Sequence, residues 1–197
     1  MEISVYSSTN IRAGSTPLQY QKDDEQVEDS AHPERMARYR ERLEKAASYG
    51  EVWEIVRDSV KEVLKKHRVG MMLFLDDLSL NLGAYHPVGT NNIIMNRALL
   101  KLVEVATEKR VFVNAFIYSI LLHEYLHAVG YLAESEVRPL VATVSEACFG
   151  YEHITSKLAR EGPWLLLHGI PLDEVQTPKR VIEIVRDFEK SNERYIA

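Results

Sequence analysis

The sequence has a single cysteine, Cys148, in 197 residues. No intrachain disulfide can form, so burial and hydrogen bonds have to hold the fold, and a reducing, cytoplasmic setting is the expectation. Positive charge is also short. The formal net charge is −5, which excludes a global basic field that would draw in nucleic acid. The run Lys65-Lys66-His67-Arg68 is a local exception, and it reads as a solvated helix end, where cations suit the helix dipole. The start, MEISVYSSTN, has neither a basic stretch nor an apolar one, so no secretory signal is expected. The longest apolar window, 111–133, is long enough to cross a bilayer. It carries Asn114, His123, Glu124 and His127, however, and has no companion span, which argues against a membrane protein. Internal repeats and low-complexity tracts are missing as well.

What remains is an ordinary globular composition, 46% apolar and 27% charged, in a chain long enough to bury a sizeable core. Residues 1–30 are polar apart from a strand-like EISVY, and they read as an arm. Residues 31–197 read as one domain. Pro33 suits the first turn of a helix ending near Gly50. EVWEIVRDSVKEVLKKH repeats apolar residues at helical spacing. VGMMLFLDD, LGAYHPV and NIIMN have strand character, with a turn at Gly89-Thr90-Asn91. A further helix follows in RALLKLVEVATE, then a long one from about 110 to 132. The next, capped by Ser135, is expected to run to Arg160. Residues 178–194 read as an amphipathic C-terminal helix. The class is α+β.

The stretch LLHEYLHAVG places two histidines and a glutamate inside the most apolar helix. Burying polar groups without partners costs roughly 1–3 kcal/mol each. On a helix His123 and His127 stack on one face, so both imidazoles can reach one zinc ion from the same side. Glu124 is rotated about 100° from His123 and can approach a water on that metal without being a ligand. This is the mechanical content of H-E-x-x-H: two ligands and a general base from one turn. The competing reading is two core histidines bonded to backbone groups.

A catalytic zinc needs a third protein ligand. Ala133 occupies the place where a metzincin carries its third histidine, although Gly130 matches the metzincin glycine. Glu134 shares a face with His127, but seven residues of continuous helix is about 10 Å of rise, too far for a shared ion. Glu136 falls in the connecting turn. Glu146 is the better candidate, on the following antiparallel helix among small and apolar neighbours. Its competing reading is a surface glutamate.

H-E-Y-L-H, then eighteen residues, then Glu146 in TVSEACFG resembles the gluzincin zinc metallopeptidases, and the length resembles the compact minigluzincins with extensions at both ends. The resemblance covers about 69–160. It implies a zincin-like fold and one catalytic Zn2+ on His123, His127 and Glu146. It also implies peptide or protein substrates, paired along an edge strand at Gly83, Ala84, Tyr85 and His86. One departure is Gly150, where thermolysin-type members carry an aspartate that supports a ligand histidine. Asp76, Asp77 or a backbone carbonyl could take that role. Among Tyr131, Tyr151, His153 and His168 as oxyanion donors, His153 is preferred, being seven residues after Glu146 on the same helical face. The terminal extensions suggest latency or assembly. Two other function classes stay open: a zincin-like sensor or adaptor that binds a protein without turnover, and a helical domain with no metal.

Overall fold

The structure is a computed structural model that describes residues 33–107, 109–170 and 181–189. The arm at 1–30, with EISVY, lies outside the described residues. Among the described residues the fold is mixed α+β, with six helices and a small four-stranded sheet. The order is α1 (Pro33–Lys45), α2 (Tyr49–Leu64), β1 (Met72–Asp76), β2 (Ala84–Tyr85), β3 (Asn92–Asn96), α3 (Arg97–Ala106), α4 (Arg110–Ala128), α5 (Glu134–Phe149), α6 (Ile154–Glu161), a short 3-10 turn (Pro163–Leu167) and β4 (Glu183–Val185). The strands lie in the order β2-β3-β1-β4, with β1 and β3 parallel and the outer pairs antiparallel. No helix of the described residues is long and apolar enough to cross a membrane.

α4 is the axis of the domain. Every residue from Asn114 to Ala128 is buried, because α1, α2, α5 and α6 all pack around it. A helix buried on all faces has to satisfy its polar side chains internally. Asn114 donates to the carbonyls of Leu43 and Ala46 at 2.8 and 2.9 Å, closing the C-terminal end of α1. Tyr118 donates to Ser59 at 2.9 Å.

Two expected helices break earlier than periodicity suggests. Ser48 caps α2 by accepting from the Glu51 backbone N–H, so the helix from Pro33 stops at Lys45 and Gly50 falls in the first turn of α2. The helix expected to reach Arg160 stops at Phe149. Arg35 and Arg40 of α1 donate to the Ala147 and Phe149 carbonyls at 2.9 and 2.7 Å. Those bonds satisfy the last turn of α5. Gly150 then turns at φ 80°, and a Cβ there would meet Arg40 Nη2 at 2.6 Å.

Residues 181–189 correct the expected C-terminal helix at 178–194. Glu183–Val185 is a strand paired antiparallel to β1. β1 is buried on its inner face and offers an open edge, and a Val181-Ile182…Ile184-Val185 segment suits that edge better than a helix. Arg97 holds the strand by bonding to Asp77, Glu183 and the Val181 carbonyl. Phe188, 2% exposed, stacks on Trp53 with ring centres 4.7 Å apart. Glu189 pairs with Arg57 at 2.7 Å and accepts from the Met71 backbone at 2.6 Å. Phe188→Ala is expected to cost about 3–5 kcal/mol in urea denaturation. A loss below about 1 kcal/mol would mean that this segment does not anchor the fold.

Candidate metal centre

α4 ends at Ala128, four residues short of the expected end, and that ending builds the site. The Gly130 N–H bonds to the His127 carbonyl at 3.0 Å and the Tyr131 N–H to the Leu126 carbonyl at 3.1 Å. Gly130 has φ 109°. These two bonds with a left-handed glycine after the cap form a Schellman motif, which reverses the chain. Glu134 then opens α5 instead of extending α4. The objection that seven residues of continuous helix separate it too far from His127 therefore does not apply.

Three electronegative atoms meet there. His127 Nε2 lies 3.2 Å from His123 Nε2 and 3.1 Å from Glu134 Oε1, and His123 Nε2 lies 3.3 Å from the same oxygen. These three residues form a group able to hold a metal ion. In a tetrahedron with metal–ligand bonds of about 2.0–2.1 Å, ligand atoms stand about 3.3–3.4 Å apart, so the triangle already has the size of one face.

The donor chemistry also fits a cation. His127 Nδ1 is 2.8 Å from the Tyr131 carbonyl, which can only accept. Nδ1 therefore carries the hydrogen, and Nε2 of the neutral ring presents a lone pair to the Glu134 carboxylate. Two acceptors at that separation need a positive charge between them. A proton can bridge one pair; a divalent ion serves all three atoms. Burial lowers the His123 pKa, so that ring favours its neutral, ligating form. Arg138, one turn along α5, lies 3.4 Å from Glu134 Oε2.

Glu124 sits on the same turn of α4. It is 1% exposed, and its Oε2 has no hydrogen-bond partner among the described residues. Burial, and then the charge of Glu134, raise its pKa well above the usual range, opposed by a hydrogen bond from the His86 backbone. That bond comes from the end of β2, which lies at one edge of the sheet as expected for Gly83 to His86. Gly83 lets β2 sit close to α4, since a Cβ there would stand 2.7 Å from Ile120 Cδ1. The His86 ring is buried and bonds through Nδ1 to the Asn92 carbonyl at 2.9 Å.

Two expected site residues go elsewhere. Glu146 pairs with Arg160 at 2.7 Å, tying α5 to α6, and is not part of the triangle. The early end of α4 brings the first residue of α5 to the histidines, so a glutamate twelve residues further along is not the one that meets them. His153 caps α6, accepting from the Thr155 backbone at 3.2 Å, and stacks on Phe149 with ring centres 5.1 Å apart. It is placed there because the break at Gly150 makes it a helix start. Asp77 is taken by Arg97. For His127, the backbone carbonyl supplies the outer support. The sequence signal able to reveal Glu134 is Gly130, a residue type that ends helices even though apolar residues continue after it.

No known protein family, characterised protein or solved structure matches the chain.

Gly130→Ala isolates the turn. Nothing lies within 4 Å of the added Cβ, so the cost is backbone strain of about 1–3 kcal/mol, and zinc affinity measured by chelator competition should fall with it. Wild-type stability and zinc affinity together would disprove the role of this turn. His153→Asn tests the cap. Burial, with Arg40 nearby, lowers the His153 pKa to about 4, so the unfolded chain binds more protons than the folded one between that value and about 6.5. The wild type should lose stability relative to His153→Asn as pH falls through that window. Parallel curves for the two proteins would show that His153 does not titrate differently on folding.

Proposed function

We propose that this chain is a zinc metallopeptidase with a zincin-like site. The observation that carries the reading is the triangle of His123, His127 and Glu134 with Glu124 on the same helical turn. Two neutral imidazoles and one carboxylate are a ligand set suited to a catalytic zinc. Zinc, when bound, supplies a Lewis acid that polarises a carbonyl and makes water more acidic. Glu124 takes the proton from water and delivers it to the leaving amine. The His86 backbone N–H holds one oxygen of Glu124, so the other is oriented for that exchange. A peptide would lie beside β2, where strand-like pairing gives sequence-tolerant binding. The buried Cys148 thiol, pushed up to about 12 by burial, is an inert core group, consistent with a cytoplasmic setting. The acidic net charge gives no support to a nucleic-acid substrate.

A second reading is a metal-binding sensor or adaptor without turnover. One observation favours it: His123, Glu124 and His127 are only 1%, 1% and 3% exposed, so a polypeptide reaches them only after movement. Zinc content and cleavage of a mixed peptide library separate the two. The wild type is expected to hold one zinc and to cleave. Glu124→Gln should keep the zinc and lose at least about a hundredfold in turnover. Glu134→Ala should weaken zinc beyond the roughly 10–100-fold that loss of an outer partner costs, while Glu146→Ala leaves it unchanged. Zinc without cleavage supports the sensor. No zinc, or equal cleavage by wild type and Glu124→Gln, ends the peptidase proposal.

A further inference from the structure

We infer that Lys66 and Arg68 are positioning residues for the metal, holding the turn whose Tyr131 carbonyl orients His127; this rests on the reading of His123, His127 and Glu134 as ligands.

α2 ends at Leu64, and Lys65 takes a left-handed conformation at φ 55°. The next three residues run along the C-terminal end of α4. Arg68 donates from Nη1 to the Ala128 carbonyl at 2.6 Å. Its Nη2 donates to the Thr90 carbonyl at 2.9 Å, and Nε and Nη2 both reach Asn91 Oδ1, at 3.0 and 2.6 Å. Its backbone N–H donates to the Tyr125 hydroxyl at 2.7 Å, and its carbonyl accepts from that hydroxyl at 3.0 Å. Lys66 Nζ stands 4.1 Å from the centre of the Tyr131 ring, within cation–π range.

The two cations thus grip both sides of the terminal turn. Arg68 holds the last helical carbonyl and the loop between β2 and β3. Lys66 holds the ring of the residue whose carbonyl accepts from His127 Nδ1. An outer hydrogen bond of that kind fixes the ring plane and the tautomer of a metal-ligating histidine. With the turn loosened, the carbonyl is free to leave Nδ1, and Nε2 loses its aim.

Charge alone predicts the opposite of positioning. Two cations near a dication oppose its binding, so removing one would tighten zinc. Loss of positioning weakens zinc. The sign of the change therefore decides between them.

The test measures zinc dissociation by chelator competition, and the visible spectrum of the cobalt-substituted full chain, for wild type, Lys66→Met, Lys66→Arg and Arg68→Lys. Melting of the metal-free proteins is the control. Lys66→Met should weaken zinc about 2–5-fold with no change in melting, because Lys66 is exposed and surface changes cost little. Lys66→Arg should restore wild-type affinity, since a guanidinium also stacks on a ring. Arg68→Lys keeps the charge and loses the fork, and should weaken zinc about 10–100-fold with shifted cobalt bands. If Arg68→Lys fails to fold, the Lys66 pair still decides. Unchanged or tighter zinc in Lys66→Met overturns the inference, as does equal weakening in Lys66→Arg. A wild type that binds no zinc overturns both this inference and the proposed function. Zinc that depends on Glu134 but not on Lys66 or Arg68 overturns this inference alone.

Discussion

The bond from His127 Nδ1 to the Tyr131 carbonyl exists only because α4 stops at Ala128. One more turn of regular helix would give that carbonyl to the helix and carry Glu134 away along the axis. The Schellman bonds and the left-handed Gly130 reverse the chain within five residues. That reversal orients the His127 ring and delivers Glu134 to the two histidines. It leaves Glu134 at the N-terminal end of α5, where the helix dipole favours a negative charge.

The surroundings explain why the chain concentrates its polar groups here. α4 is enclosed by helices on all sides, and most of its polar side chains find fixed protein partners: Asn114 on α1, Tyr118 on α2, Tyr125 on Arg68. His123 and His127 instead face each other and Glu134, and Glu124, beside them, is held by the His86 backbone. A hydrophobic core accepts such a group when a cation neutralises it, and otherwise it remains a buried liability. The sheet contributes through β2, whose end supplies the backbone donor to Glu124, and β3 fixes β2 through Asn96, whose N–H bonds to the Gly83 carbonyl at 2.8 Å.

Much of this was legible in the sequence. The H-E-x-x-H spacing singled out the two histidines that the structure brings together with Glu134, the three strand segments were identified, and Ala84–Tyr85 is an edge strand. What failed was the end of helices. The apolar pattern of 111–133 continues past Val129, so periodicity alone carried the helix to about Leu132 and excluded Glu134 on distance. Glu146 then looked right because its neighbours are small and apolar, yet Phe149 packs on Tyr39 of α1 while the Glu146 carboxylate turns to Arg160. The same overrun joined α5 to α6, because the guanidinium groups that end α5 come from α1, more than a hundred residues earlier, and no local pattern announces them. The C-terminal strand was missed for a related reason: its spacing fits a helix, and only the open edge of β1 makes it a strand.

Glu124 links these features to chemistry. Without a metal, burial and the charge of Glu134 hold its carboxyl well above the ordinary range, and one backbone N–H offsets this only in part. A dication among the three ligand atoms acts in the opposite sense on a neighbouring carboxyl and stabilises its ionised form. On the proposed reading, the group that would accept a proton is made more basic by the apolar core and would be ionised by a metal held beside it. A more exposed glutamate would ionise without help but would hold its proton too weakly to carry it to a leaving amine. The burial that makes α4 difficult to build is the same burial that would suit Glu124 to the proposed task.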